Sequence, residues 1–280
     1  MMHEIGKGRY DNAYKNISPK STDIVLCYKD RDIIVKENSD EISFLTYGKV
    51  LSQAPDIAQN YIYLFKIDDT SYFLIPQTEN IELENTRRIY IRPFREMAPL
   101  TNVFAGMTGF QLRNWYNTRK YCSSCGKPLV HDTKERMLRC TDCGHMEYPK
   151  ICPAVRVGVI SNDRILLTTY ARGEHTRYGL VAGFAEIGET IEETVVREVM
   201  EETGLRVSRV KYYKSQPWSL TDTLLFGFWA EIDGDDAVFL DEEELASAQW
   251  FSRHDVVDEN SISLTGEMMR VFKEGAKIFD

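Results

Sequence analysis

Between residues 183 and 205 the chain reads GFAEIGETIEETVVREVMEETGL, with seven glutamates and Arg197 as its only basic residue. Few folds accommodate such a segment, because its charges and its apolar residues fall on the same side of one helix. Thr190 followed by Glu193 is the S/T-x-x-E capping box, so a helix is expected to start at 190–191. Gly204 is a natural C-terminal stop. At about 100° per residue, Ile191, Val195 and Val199 form one face, with Val196 and Met200 beside them. Glu198, Glu201 and Glu202 follow an i, i+3, i+4 pattern and share a strip; Glu202 falls at nearly the angle of Val195, with Glu198 close by. A solvated acidic face would lie opposite the apolar stripe, not along its edge. Like charges at i, i+4 cost about 0.2–0.5 kcal/mol per pair, and half-buried carboxylates cost more unless paired. One guanidinium cannot neutralise three glutamates, whereas a divalent cation can. Mg²⁺ or Mn²⁺ prefers carboxylate oxygens and also binds phosphates.

A second constraint precedes this helix, in YCSSCGKPLVHDTKERMLRCTDCGHMEYP. Cys122 and Cys125 form one CxxC, and Cys140 and Cys143 another, with fourteen residues between the pairs. Each CxxC turn presents two thiolates to one ion, and a hairpin brings the pairs together, which suits tetrahedral Zn²⁺. Gly126 and Gly144, just past each pair, suit the tight knuckle. Two disulfides or a redox pair are the competing readings. The N-terminus, MMHEIGKGRYDNAYKN, lacks the apolar stretch of a secretory signal, so persistent disulfides are not expected. A redox motif needs only one CxxC. With thiolates at all four positions, the ion would be structural. Cys27 and Cys152 read as buried thiols.

The 280 residues are enough for two or more domains, and 43% hydrophobic with 28% charged content is ordinary for a soluble globular chain. No run of 18 apolar residues occurs, so no membrane partner is expected, and the cytoplasm is the default location. Residues 1–150 carry 21 Lys+Arg against 19 Asp+Glu, a net of +2; residues 151–280 carry 13 against 24, a net of −11, and the two sum to −9. Such an acidic half repels phosphates unless cations sit between. DIVLCY, DIIVK, ISFLTY, NYIYLFKI and SYFLIP read as strands, the last two joined by a hairpin at DDT. TNVFAGMTGFQLRNWYNT reads as a helix with Val103, Met107 and Phe110 on one face. Beyond 150, AVRVGVIS and RILLTTYA read as a strand pair turning at NDR, VSRVKYYKSQPW and TLLFGFWAEID as strands, and GEMMRVFKEGAKIF as a closing helix. The expected domains are an α+β unit over 1–118, a zinc ribbon over 119–150 and an α/β unit over 151–280.

The stretch 183–205 resembles the Nudix hydrolase signature, G-x5-E-x7-R-E-U-x-E-E-x-G-U, at every fixed position: Gly183, Glu189, Arg197, Glu198, Val199, Glu201, Glu202, Gly204 and Leu205. The resemblance implies a Nudix α/β/α sandwich with a mixed sheet, and hydrolysis of a nucleoside diphosphate linked to another group. It implies Glu198, Glu201 and Glu202 as ligands of Mg²⁺ or Mn²⁺, with the Ala182 carbonyl as a further ligand. Arg197 and Glu189 would pair to hold the site, and Glu201 or Glu202 would take the water proton. A zinc ribbon directly ahead of such a domain is similar to the NADH pyrophosphatase subfamily, and so is SQPW at 215–218. That subfamily continues as SQPWPFPxS, whereas this chain reads SQPWSLTDT, which removes rigidity and a stacking surface from the substrate loop. By the same resemblance, Tyr148, Phe184, Gln216, Trp218, Glu135 and Thr265 would contact substrate. LDEEELASAQWF, aligned on Trp250, selects Glu244 as another metal carboxylate, with Glu242 and Glu243 as neighbours in competition.

The implied reaction splits NADH or NAD into AMP and nicotinamide mononucleotide. The altered loop leaves ADP-ribose, CoA-type or flavin dinucleotides and NAD-capped RNA as alternative substrates, and a homodimer is compatible with the resemblance. A catalytically silent zinc-ribbon regulator is the reading from another class. Intact glutamates argue against it, and the ribbon, though mildly basic at RKYCSSCGK, lacks the interleaved aromatic and basic residues of a nucleic-acid platform.

Overall fold

Runs of β-branched and aromatic residues become strands throughout the first half of the chain. The computed structural model describes residues 1–280 apart from 7, 38–40, 77, 79–81, 172–177, 241–242, 244, 258–261 and 280. It forms two units, one of Met2–Lys150 with Ser219–Thr221, the other of Met1 with Ile151–Trp218 and Asp222–Asp280.

In the first unit, β1 (Tyr10–Asp11), β2 (Ile24–Lys29), β3 (Asp32–Lys36) and β4 (Leu45–Thr46) precede two short helices, α1 (Tyr47–Gln53) and α2 (Pro55–Ala58). Then come β5 (Ile62–Ile67), β6 (Thr70–Ile75), β7 (Thr86–Tyr90), α3 (Ile91–Phe94) and α4 (Leu100–Thr118). The strands form one mixed sheet in the order β1-β5-β6-β2-β3-β7, with β4 on β2. The β5–β6 hairpin turns at Asp68–Asp69, where Asp68 takes a φ of 51°, a conformation that Asp tolerates better than most residues. Of ISFLTY only Leu45–Thr46 lies in a strand. The Tyr47 and Gly48 N–H groups turn to the Asp23 and Ser21 carbonyls at 2.8 and 2.9 Å, and the chain enters α1. Val103, Met107 and Phe110 of α4 are buried as their spacing requires.

The same unit ends in a three-stranded antiparallel sheet, β8 (Leu129–His131), β9 (Leu138–Cys140) and β10 (Met146–Glu147), ordered β10-β9-β8. The second unit contains β11 (Cys152–Ser161), β12 (Arg164–Tyr170), α5 (Ile191–Thr203), β13 (Val207–Trp218), β14 (Thr223–Ile232), β15 (Leu245–Ser252) and α6 (Leu264–Lys273). Its sheet is mixed, ordered β13-β14-β11-β12-β15, with β11 and β14 parallel. Alternation along β11 divides the core in two. Val155, Val157 and Val159 face Val195 and Val199 of α5, whereas Ala154 and Ile160 join Leu264, Met268 and Phe272 of α6. The sheet is therefore sandwiched between helices. Among the described residues no helix is long and apolar enough to cross a membrane.

Candidate active site

β11 is the spine of the site. It pairs with β14 from Cys152 to Ile160, but with β12 only at Ile160 and Ser161. The rest of that side is taken by residues 181–185. Val155 and Val157 donate their N–H groups to the Gly183 and Val181 carbonyls at 2.8 and 2.9 Å, and Ala185 N–H donates to the Pro153 carbonyl at 3.1 Å. An extended segment turns successive carbonyls to opposite sides, so the Ala182 carbonyl faces away from β11.

Gly183 is thereby pinned beside α5. A Cβ at this position would fall 1.9 Å from Cδ of Glu198 and 2.0 and 2.1 Å from its two oxygens. The carboxylate fills the room that any larger residue would need. The helix itself follows its sequence signals. Thr190 caps it with a reciprocal Glu193 capping box, and Gly204 ends it at a φ of 69°. Glu198 and Glu202 are 8% and 3% exposed, while the Glu201 side chain is 57% exposed. Glu202 and Glu198 thus turn inward with Val195, as their angles require, whereas Glu201 of the same strip is exposed.

Arg197 organises the carboxylates. Its Nε and Nη2 donate to the two oxygens of Glu189 at 2.5 and 3.0 Å, a bidentate fork. Its Nη1 donates to Glu198 at 2.7 Å and to Glu201 at 2.9 Å, and Nη2 also reaches the Phe184 carbonyl at 2.9 Å. Glu189 further accepts from Glu186 N–H and the Thr194 hydroxyl, both at 3.0 Å. The Arg197 guanidinium, then the Glu186 N–H, hold the Glu189 carboxyl down to about 2. One guanidinium shared by three carboxylates, with Glu202 buried one turn further along the helix, leaves an excess of negative charge whose ligand atoms are all oxygen. That is the set that hard divalent cations take.

On the other face of the sheet, Gln216 is 0% exposed. Its side-chain N–H donates to the Ile262 carbonyl at 2.9 Å and its carbonyl accepts from Leu264 N–H at 2.7 Å, tying β13 to the start of α6. Thr265 is the second residue of that helix, and Trp218 is half-buried in the α6-side core. The sequence expectation gave Gln216 a substrate contact, whereas here its amide is committed to backbone. Two positions on, Glu267 is buried and accepts from the Tyr213 hydroxyl at 2.7 Å and Lys214 Nζ at 2.5 Å. Burial, then this bond, push Tyr213 up to about 12. The sequence reading missed this cluster, and its only trace was the alternation of Lys214 with Gln216 along β13. It also missed the anchoring roles of Thr194 and the Phe184 carbonyl.

Phe184 presents its ring to solvent at 54% exposure. In the first unit Tyr148 donates its hydroxyl to Glu135 at 3.0 Å, so two residues expected to contact substrate meet each other. Glu244 and Glu242 lie outside the described residues.

The four cysteines form two matching knuckles. Cys122 N–H donates to the Lys127 carbonyl at 2.7 Å and Gly126 N–H to the Cys122 carbonyl at 2.9 Å; Cys140 with His145, and Gly144 with Cys140, repeat this at 2.8 and 3.0 Å. Gly126 and Gly144 take φ values of 73° and 77°, which glycine adopts without cost. The Sγ atoms of Cys122 and Cys143 lie 3.6 Å apart, those of Cys125 and Cys140 3.4 Å, and all four fall within 4.8 Å of one another. Tetrahedral zinc with bonds of about 2.3 Å sets its sulfurs about 3.8 Å apart. The cluster fits that ion and offers it four thiolates.

A family model described as a NUDIX domain matches residues 150–272, and one described as an NADH pyrophosphatase zinc ribbon domain matches residues 117–148. A curated protein of Klebsiella pneumoniae, the NAD-capped RNA hydrolase NudC, is 31% identical over 200 residues, covering 71% of this chain and 75% of that protein. Proteins of the same name from Salmonella schwarzengrund and Escherichia coli are 38% identical over 148 residues, 53% of this chain and 57% of each relative. In these two alignments the chain spans little more than half of the relative's length.

Proposed function

This chain belongs to the Nudix hydrolase family, in the branch with an NADH pyrophosphatase-type zinc ribbon, and from that premise we propose that it hydrolyses the pyrophosphate of NADH or NAD to AMP and nicotinamide mononucleotide. The observation that carries this reading is the buried Glu198 carboxylate set against Gly183 beside the Arg197 fork, with Glu202 buried one turn further along the same helix. Glu198, Glu201 and Glu202, with the Ala182 carbonyl and Glu244, would hold Mg²⁺ or Mn²⁺. When bound, such ions neutralise charge on the phosphates and lower the pKa of a coordinated water.

The chain's own residues do the rest. Arg197 and Glu189 hold the glutamates in register, and Phe184, fixed through its carbonyl, offers a ring for stacking on a base or nicotinamide. Water adds to one phosphorus, the bridging oxygen leaves with the other phosphate, and Glu201 or Glu202 accepts the proton. Zinc at Cys122, Cys125, Cys140 and Cys143 is structural. Gln216 acts through α6, placing Thr265.

A second substrate reading, NAD-capped RNA, is favoured by the names of the curated relatives. The test is a panel of NADH, NAD, ADP-ribose, flavin dinucleotide and NAD-capped RNA, assayed with Mg²⁺ and Mn²⁺ and resolved chromatographically. AMP and nicotinamide mononucleotide from NADH are expected; no cleavage of any nicotinamide substrate would refute the proposal.

A further inference from the structure

One row of backbone pairs crosses the second unit from Gln216 through Leu225 and Ala154 to Phe184. Residues opposite one another in a row turn their side chains to the same face, and Ala154 and Leu225 belong to the α6-side core. The Phe184 ring therefore lies on the face that carries α6, three strand spacings from Gln216, or about 14 Å. Gln216 in turn holds the backbone at 262 and 264, so the first turn of α6, with Thr265, sits over the same row.

The apolar side of α6 does not by itself fix that position. Leu264, Met268, Met269 and Phe272 are buried against the sheet, but apolar contact is non-directional and lets a helix roll or slide. Glu267 supplies direction. It is 5% exposed and accepts from both the Tyr213 hydroxyl at 2.7 Å and Lys214 Nζ at 2.5 Å. Neighbours along a strand normally point to opposite faces. Here a register shift between Tyr212 and Lys214 makes Tyr213 an extra residue and brings both side chains to the one carboxylate. Gly227, the partner of Lys214 on β14, lets the helix lie close: a Cβ there would reach Met268 Sδ at 2.9 Å and the Leu264 methyls at 3.2 Å. A buried carboxylate adds little net stability even when paired, whereas two directional bonds decide where the helix stops.

We propose that Glu267 is a positioning residue for substrate binding: through Tyr213 and Lys214 it sets the register of α6 on β13, and so holds Thr265 in place for a substrate seated on Phe184. The inference rests on the proposed function for Thr265 and Phe184 as contacts, and not for the tether itself.

The test compares Glu267→Met, Glu267→Gln and Tyr213→Phe in the full chain. The readouts are NADH kinetics with Mg²⁺, the thermal midpoint, and hydrogen exchange of the 262–268 amides without substrate. Methionine fills the space without directional bonds, so the midpoint should nearly hold and exchange should quicken. KM should rise about tenfold and kcat stay within about twofold, the loss expected for charge-assisted bonds. Glu267→Gln still accepts from Tyr213 and should recover most of the lost affinity. Tyr213→Phe keeps the ring and removes one bond; it should raise KM about threefold, and it serves even where the methionine variant does not fold. Unchanged KM and exchange would overturn the proposal, as would a glutamine variant no better than methionine. So would a joint fall of kcat and midpoint at constant KM, which is what a merely structural contact gives. A wild-type chain that leaves NADH uncleaved would refute the dinucleotide reading; the exchange difference, and KM on whichever panel substrate is cleaved, would still decide this one.

Discussion

Replacing Gly183 with alanine adds one methyl group at the point where the Glu198 carboxylate sits, 1.9 Å from its Cδ. The Gly183 backbone lies outside the left-handed region, so alanine meets no conformational strain there and the effect is purely one of contact. An ordinary Cβ contact begins near 3.4 Å, so the carboxylate must retreat by about 1.5 Å, or the 181–185 segment and α5 must part. Misplacement of about 1 Å in a site group can cost about 10²-fold in rate, and kcat should therefore fall about a hundredfold or more. Overpacking typically costs about 1–3 kcal/mol of stability, and the Arg197–Glu198 bond of 2.7 Å would be strained as well. The assay is kcat and KM for NADH across a Mg²⁺ titration, with urea denaturation in parallel. Repeating the substitution in a Glu198→Ala background isolates the contact, because the stability penalty should largely vanish once the carboxylate is gone. A Gly183→Ala protein with near-normal kcat, or a penalty that persists without Glu198, would refute the reasoning.

Glu202→Gln should lower kcat about a hundredfold or more while nearly preserving the thermal midpoint, since the side chain keeps its shape; near-normal turnover would remove Glu202 from the site. Elemental analysis of protein purified without added metal should find one zinc per chain, and Cys143→Ser should lose it and open the ribbon to proteolysis, whereas disulfides by mass spectrometry would overturn the assignment. The Glu189 carboxyl is held down to about 2 in the folded chain, against about 4.3 when unperturbed. Its contribution to stability is therefore full above the unperturbed value and lost as pH falls toward 2. Glu189→Gln should flatten acid denaturation over that window, and an unchanged profile would show that the fork does not act in folding. Gln216→Ala leaves backbone groups at 262 and 264 without their partner and should cost about 1–3 kcal/mol, raising KM more than it lowers kcat; an unchanged midpoint would mean that the tether is dispensable.

What the residues announced on their own was local. The capping box at Thr190, the stop at Gly204, the hairpin turns at Asp68 and Asn162 and the two cysteine knuckles all depend on atoms within a few positions, so spacing and residue type suffice. The placement of Glu202 and Glu198 toward the core was also legible, because a helix repeats its angles. ISFLTY was misread because its strand propensity lost to hydrogen bonds with residues more than twenty positions earlier, at Asp23 and Ser21. β15 went unread, since its pattern in LASAQWFS acquires meaning only when β12 lies beside it.

Tertiary structure decided the rest. The parallel pairing of β11 with β14 and the wedge of residues 181–185 along β11 brought Gly183 against Glu198, fifteen positions away, and no spacing rule encodes that contact. The same holds for Gln216, which reads as a motif residue yet is turned by the sheet alternation into a clamp on α6. Helix caps and metal knuckles are short-range and recorded in order, whereas which surfaces meet depends on the burial of the whole chain, where each contact competes with all others.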